Sequence, residues 1–230
     1  MRKYYCLLLL LFISTTHASV VVEATRVIFD GAKKNTSIGV ENKDKTTNIV
    51  QSWLSPVDAS SPSKDTFVIT PPLFKLKAGG QGFVRIVRTG SPLPEDRESM
   101  FWLNIKGIPA LENAPKESEN VVQFAINSRI KFIYRPESLK NSSPEKVAAQ
   151  LQWYKEDGAI RVKNTSSYYI NFSRINYGGK DIPGGWFVAP NRDLTIPLPT
   201  GFGSSGKQQV TWSVINDYGM SDNQYNASVR

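Results

Sequence analysis

In the segment "NVVQFAINSRIKFIYRP" (120–136), an uncharged alternating row, Val122, Phe124 and Ile126, is followed by three cations, Arg129, Lys131 and Arg135. A further cation, Arg26, stands in "ATRVIFDG" (24–31). Fixed cations hold anions. A carboxylate suits an Arg–Lys pair because each of its two oxygens can accept a charge-assisted hydrogen bond. If Arg26 and Lys131 reach one cleft, a chain-terminal carboxylate is a natural guest. Other chemistry is closed off. The single Cys is Cys6 and the single His is His17, both inside a segment read as a leader. The remaining chain then has no thiol nucleophile, no imidazole base, no disulfide and no Cys or His metal ligand. Ser-His-Asp and Cys-His catalysis are excluded. No paired-carboxylate or oxygen-ligand constellation stands out, so no metal or cofactor is expected and the chain does not read as an enzyme.

The leader is residues 1–18. Arg2 and Lys3 precede eight apolar residues, Cys6–Ile13, and "STTHA" places Thr16 and Ala18 at small-residue cleavage positions. That is the pattern of a secretory signal peptide cut after Ala18. Eight residues are too few to cross a bilayer core of roughly 30 Å, and no later stretch is apolar enough, so the chain is expected to be exported and soluble. Of 230 residues, 212 remain, and loss of two cations lowers the formal charge from +8 to +6. The cations are scattered among acids, as in "NKDK" and "PEDRES", so nucleic acid is not an expected partner.

The elements that must position these residues are strands. Alternation and turn residues mark strands at 20–30, 36–42, 47–55, 66–70, 81–89, 100–108 and 120–134, a spacing that points to an immunoglobulin-type sandwich over 19–139. "RPESLKNSSP" (135–144) lacks periodicity and reads as a hinge. Short strands then resume in "AQLQWYK", "AIRVKN", "SYYINFSRIN", "WFVAP", "LTIPL" and "QQVTWSVIND", giving a second β-sandwich over 140–230. The fold class is all-β, two immunoglobulin-like sandwiches in tandem.

Periodicity alone would put Val122, Phe124 and Ile126 in the core of the first sandwich. Length argues for more. Fifteen residues exceed the common strand of five or six. A long uncharged edge is an aggregation hazard unless another strand completes it. Lys131 lies five positions beyond Ile126, so strict alternation sets it on the opposite face from the row. Either the strand bulges or the anion is reached from its other side, and the sequence leaves both open.

At this point the residues carry a resemblance. "LPEDRESMFWLNIKGIPA" (93–110) resembles the signature of the periplasmic pilus (fimbrial) assembly chaperones of chaperone–usher systems. Supporting matches are "ATRVIFDG", "TPPLFKLKAGGQGFVRIVR" (70–88), "IKFIYRP" (130–136) and "INDYG" (215–219), in order along the chain. The resemblance implies two immunoglobulin-like domains in a boomerang arrangement. It implies a chaperone that lends a strand to a pilus subunit missing its own, by donor-strand complementation, and delivers it to an outer-membrane usher. Val122, Phe124 and Ile126 match the donated row. Arg26 and Lys131 match the paired cations that anchor the subunit's C-terminal carboxylate. Glu98, Arg135 and Asp217 match an interdomain ion network. The short segment 110–120 looks like the short-loop branch of the family, associated with rod-forming pili. Self-association of the subunit-free chain would cover the same edge.

A second reading is a secreted carbohydrate-binding or adhesin-like module in which Trp153, Trp186 and Trp212 stack on sugars, although Trp in a β-sandwich more often packs the core.

Overall fold

A computed structural model describes residues 20–58, 61–62, 64–110, 122–202 and 209–230. The leader call and most of the 110–120 segment lie outside the described residues. The first sandwich contains β1 (Val20–Val22), β2 (Arg26–Asp30), β3 (Asn35–Asn42), β4 (Asn48–Pro56), β5 (Phe67–Thr70), β6 (Leu73–Leu76), β7 (Gln81–Arg88), β8 (Ser99–Pro109) and β9 (Ile126–Arg135). One sheet runs β1-β3-β7-β5 and the other β2-β9-β8-β4-β6. Between them lies a core centred on Phe29, Phe67, Phe101, Phe132 and Tyr134, all buried. Edge-on packing of Phe67 against Phe132, with ring centroids 4.9 Å apart, joins the two sheets.

The second sandwich contains β10 (Gln152–Glu156), β11 (Ala159–Asn164), β12 (Ile170–Tyr177), β13 (Lys180–Asp181), β14 (Phe187–Val188), β15 (Arg192–Pro197), β16 (Gln209–Val214) and β17 (Gln224–Ser228). Its sheets are β10-β11-β15 and β13-β12-β16-β17, with β14 added to β12. Trp153 and Trp212, both buried, meet at its centre with ring centroids 5.3 Å apart. The two sandwiches share a local device. Buried Asn42 and Asn164 each close a strand by donating to carbonyls of the following turn, while their Oδ1 accepts an amide two residues on. The Asn164 turn presents residues 167–169 to the first domain.

Two strands differ from the sequence reading. The stretch 20–30 is two strands, not one. Val20 faces inward in β1, whereas Val27 and Phe29 face inward in β2. Inward positions thus change from even to odd numbers, and a strand cannot do that without breaking, because its side-chain period is two. The break at Glu23–Thr25 sends β1 to β3 in one sheet and β2 to β9 in the other. The last strand starts at Ile126 rather than 120. Residues 122–125 belong to no strand, since the pairing with β8 ends at Gly107 opposite Ile126 although β8 itself runs on to Pro109. Gln123 Nε2 donates to the Pro109 carbonyl there.

β2 and β9 end against the hinge. Gly31 donates its amide to the Arg135 carbonyl at 2.7 Å, and a Cβ on Gly31 would sit 2.8 Å from that oxygen and 2.9 Å from Pro136 Cα. Those atoms are backbone and cannot swing aside. Gly31→Ala is expected to destabilise the protein by roughly 1–3 kcal/mol, the usual cost of overpacking, read as a lower denaturant midpoint in urea unfolding.

Candidate functional site: a strand edge that ends at two cations

β9 is paired on one side by β8 along its whole length, in unbroken register from Gly107↔Ile126 to Ser99↔Tyr134. On its other side β2 runs parallel to it and covers only Lys131 to Arg135. Among the described residues, no strand pairs with Ile126–Ile130 on that side. The free edge continues into Val122 and Phe124, each 76% exposed, and Ile126, 50% exposed. A groove of about 420 Å³ runs beside it, lined by Val20, Val22, Ala24, Ile126 and Ile130. Val20 and Val22 precede the break and Ala24 lies in it, facing Ile126 and Ile130 of β9, so the sheet switch at Glu23–Thr25 is what opens the edge.

Because the register is unbroken, alternation holds. Ile126, Ile130, Phe132 and Tyr134 share the core-facing side, and Lys131 projects from the other face together with Arg129 and Arg135. The strand therefore does not bulge between Ile126 and Lys131, and Lys131 lies on the face opposite Ile126. Arg26 and Lys131 are direct partners in the parallel register, and so their side chains leave the same face, at the point where the free edge stops. Burial lowers the Arg26 pKa, with Asp217 opposing. Arg26 Nε is buried and makes no hydrogen bond. Lys131 is pulled down to about 8 by burial first and by Arg26 second. Its ammonium lies 4.7 Å from the Phe187 ring and 5.9 Å from the Trp102 ring, and it donates to Asn171 Oδ1 at 2.5 Å.

Glu98, Arg135 and Asp217 come together where the domains meet. Arg135 forks onto Asp217 through Nη1 (2.6 Å) and Nη2 (2.8 Å), and its Nε donates to Glu98 Oε1 at 2.7 Å. The other Glu98 oxygen accepts the Tyr169 amide at 2.7 Å, and the Glu98 amide donates to the Ser167 carbonyl. The Glu98 side chain is fully buried. Burial pushes its carboxyl up to about 7, opposed by Arg135 and the Tyr169 N–H. Asn171, Phe187 and Trp102 were not singled out from sequence. Trp102 sat within the signature segment, but nothing local marks Asn171, which is 40 residues from Lys131. The sugar-binding alternative loses its support: Trp153 and Trp212 are buried at 1% exposure, and Trp186 packs on the core with its Nε1 bonded to the Pro183 carbonyl.

Residues 19–140 match the family described as "Pili and flagellar-assembly chaperone, PapD N-terminal domain", and residues 146–226 match "Pili assembly chaperone PapD, C-terminal domain". The chain belongs to the PapD-like pili-assembly chaperones. It is 36% identical over 225 residues to chaperone protein FocC of Escherichia coli, covering 97% of this chain and 96% of that protein. Its fold is similar to a Salmonella enterica SafA pilin in complex with the SafB chaperone, at a TM-score of 0.81 and 35% identity, covering 94% of this chain and 99% of that one. It is also similar to the periplasmic chaperone SfaE, at a TM-score of 0.75 and 33% identity, covering 92% and 100%. The PapD-like assignment makes the protein a chaperone of pilus subunits.

Two outcomes follow from the cations. The ordinary Lys pKa is 10.5, so between pH 8 and 10.5 the unfolded chain binds more protons at Lys131 than the folded one. Stability must therefore rise with pH across that window, by on the order of 3 kcal/mol at most, and the burial cost is fully present below pH 8. In Lys131→Met this rise is expected to vanish and the free protein to be more stable at pH 7, as measured by urea titrations at pH 7, 9 and 10.5. Arg135→Ala removes the counter-charge of a buried carboxyl and is expected to cost about 3–5 kcal/mol at pH 9, where Glu98 ionises, as measured by urea titration. Because the Glu98 carboxyl already stands at about 7 with Arg135 beside it and rises further without it, that loss should be smallest at pH 5, where Glu98 is protonated in both proteins, and should grow as pH is raised from 7 to 9.

Proposed function

We propose that this protein captures a pilus subunit lacking one strand, completes it with the row Val122, Phe124 and Ile126, and grips its C-terminal carboxylate with Arg26 and Lys131. The observation that carries the reading is the free edge of β9 running without interruption into the Arg26–Lys131 pair. The direction of the guest follows from that arrangement. β2 already occupies the edge from Lys131 onward, so a guest strand must lie upstream of it, beside 122–130. If its carboxylate is at Lys131, its body extends toward Val122, and it runs parallel to β9, as β2 does. Guest strand and β2 then form one interrupted strand, with the guest's last residue meeting the Glu23–Thr25 break.

Neither part suffices alone. Burial of three apolar side chains contributes about 1.5–3 kcal/mol each, and a charge-assisted hydrogen bond roughly 1.5–3 kcal/mol. Association costs on the order of 4–15 kcal/mol. The main-chain ladder, the row and the anchor must act together, the mode of recognition in which backbone bonds give affinity and side-chain pockets give selectivity. The amino-terminal leader and the periplasmic SfaE relative support a periplasmic setting, with hand-over of the subunit to an outer-membrane usher. Without a subunit, the same exposed edge and the groove beside it suit a second copy of the chain.

The test uses a pilus subunit and a synthetic alternating Val/Thr peptide, with either a free C-terminal carboxylate or an amide. Wild-type protein should hold the subunit and prefer the acid peptide. Lys131→Ala and Arg26→Ala should fold yet lose about 2–5 kcal/mol of capture, and acid binding should fade above pH 8 as Lys131 deprotonates. Phe124→Glu should block the row. Equal binding of acid and amide by the wild type would refute the anchor.

A further inference from the structure

The anchor is assigned above to two residues of the first domain, yet the second domain reaches into it. Asn171, at 1% exposure, sits in β12 with its backbone fixed twice. It pairs with Phe187 of β14, and its carbonyl accepts the Ile215 amide at 2.8 Å. From that buried position its carboxamide oxygen accepts from Lys131 Nζ at 2.5 Å. The same ammonium is flanked by the Phe187 and Trp102 rings, whose faces attract a cation without offering an oxygen.

We propose that Asn171 is a positioning residue for the anion anchor: it takes one ammonium proton of Lys131 and leaves the others for the oxygens of an incoming carboxylate. The residue type supports this. Asn supplies an acceptor with no charge, so Lys131 keeps its full attraction for an anion. An Asp there would neutralise the lysine internally and close the site. The charged and titratable groups around Lys131 are few: Arg26 on β2, Arg129 stacked on Trp102 two residues upstream, Tyr169 beside Phe187 and Asp217 beyond Arg26. None of these is hydrogen-bonded to Nζ. Because the acceptor belongs to the second domain and the lysine to the first, the anchor is assembled only when the domains are docked through Glu98, Arg135 and Asp217.

This inference rests on the anchor reading and is tested separately from it. The Lys131 side chain is titrated by NMR in the full-length protein, alone and with the acid or amide peptide, for wild type, Asn171→Ala and Asn171→Asp. The Lys131 midpoint should fall in Asn171→Ala and rise in Asn171→Asp. Both variants should bind the acid peptide about tenfold more weakly, the loss of one hydrogen bond to a charged group, and should lose preference over the amide. A purely structural role would lower thermal stability without moving the Lys131 midpoint in opposite directions. If Asn171→Ala does not fold, Asn171→Ser, whose hydroxyl is too short to reach Nζ, takes its place. A midpoint unmoved by both substitutions overturns the assignment of Asn171 even where acid preference stands. Wild-type protein indifferent to acid and amide overturns the anchor, and the inference with it.

Discussion

β2 stops at Arg26, and everything about the site depends on that stop. A strand edge carries a row of amides and carbonyls that need partners. β9 needs them along ten residues and more, and β2 supplies them for five. The chain could have continued β2 backward to cover the rest. Instead it crosses at Glu23–Thr25 into the other sheet, where β1 pairs with β3. The Glu23 side chain lies over Gly39, so close that a Cβ there would meet Oε2 at 1.9 Å, and the Glu23 amide bonds to the Gly39 carbonyl. A residue without a side chain at 39 thus gives the crossing chain room. The vacancy beside Ile126–Ile130 is the direct result, and its far end is marked by the first residue of β2, a cation.

The electrostatics obey the same geometry. Arg26, Lys131 and Arg135 face Glu98 and Asp217, so at full ionisation three positive charges meet two negative ones. Arg135 spends its guanidinium on both carboxylates, locking the domains together. Asp217 also draws on Arg26. Lys131 is left with a neutral acceptor and two aromatic faces, and the depression of its pKa is the measure of how poorly its charge is compensated. One carboxylate would balance the group. A buried charge that lacks a counter-ion destabilises the free protein, and under the proposed anchor the same deficit strengthens the hold on a guest carboxylate.

Much of this was legible in the sequence, and the failures have physical reasons. Alternation located β3, β4, β5, β7 and β8 to within a residue or two, because each buries one face and exposes the other. The break inside 20–30 was not legible: three consecutive valines at 20–22 leave the inward position open, and only the structure, with Val20 and Val27 both inward, shows the change of parity. β6 was hidden behind Pro71-Pro72, which reads as a turn. β17, "QYNAS", was hidden by its polar composition. It is an edge strand whose only core-packed side chains are the partly buried Tyr225 and Ala227. In the site, the cations and the row were legible because they are local patterns. Asn171 and Phe187 were not, since their roles arise only when the second domain folds back against the first.

The face on which Lys131 lies is also explained by the free edge. Had Lys131 shared the side of Val122, Phe124 and Ile126, its ammonium would have been buried in the aromatic core beside Phe132, where no anion could reach it. Alternation instead assigns the two tasks to the two faces of one strand. The side continuous with the core carries Ile126 and Ile130 beside the groove. The other side, turned toward the second domain, holds the charge. On the proposed reading, a guest strand lying along the edge meets both, its side chains entering one face and its terminal oxygens bending round to the other. With the cations at the junction of the domains, the proposed grip depends on the docking of the whole molecule, because Glu98 and Arg135 fix the second domain that carries Asn171 and Phe187.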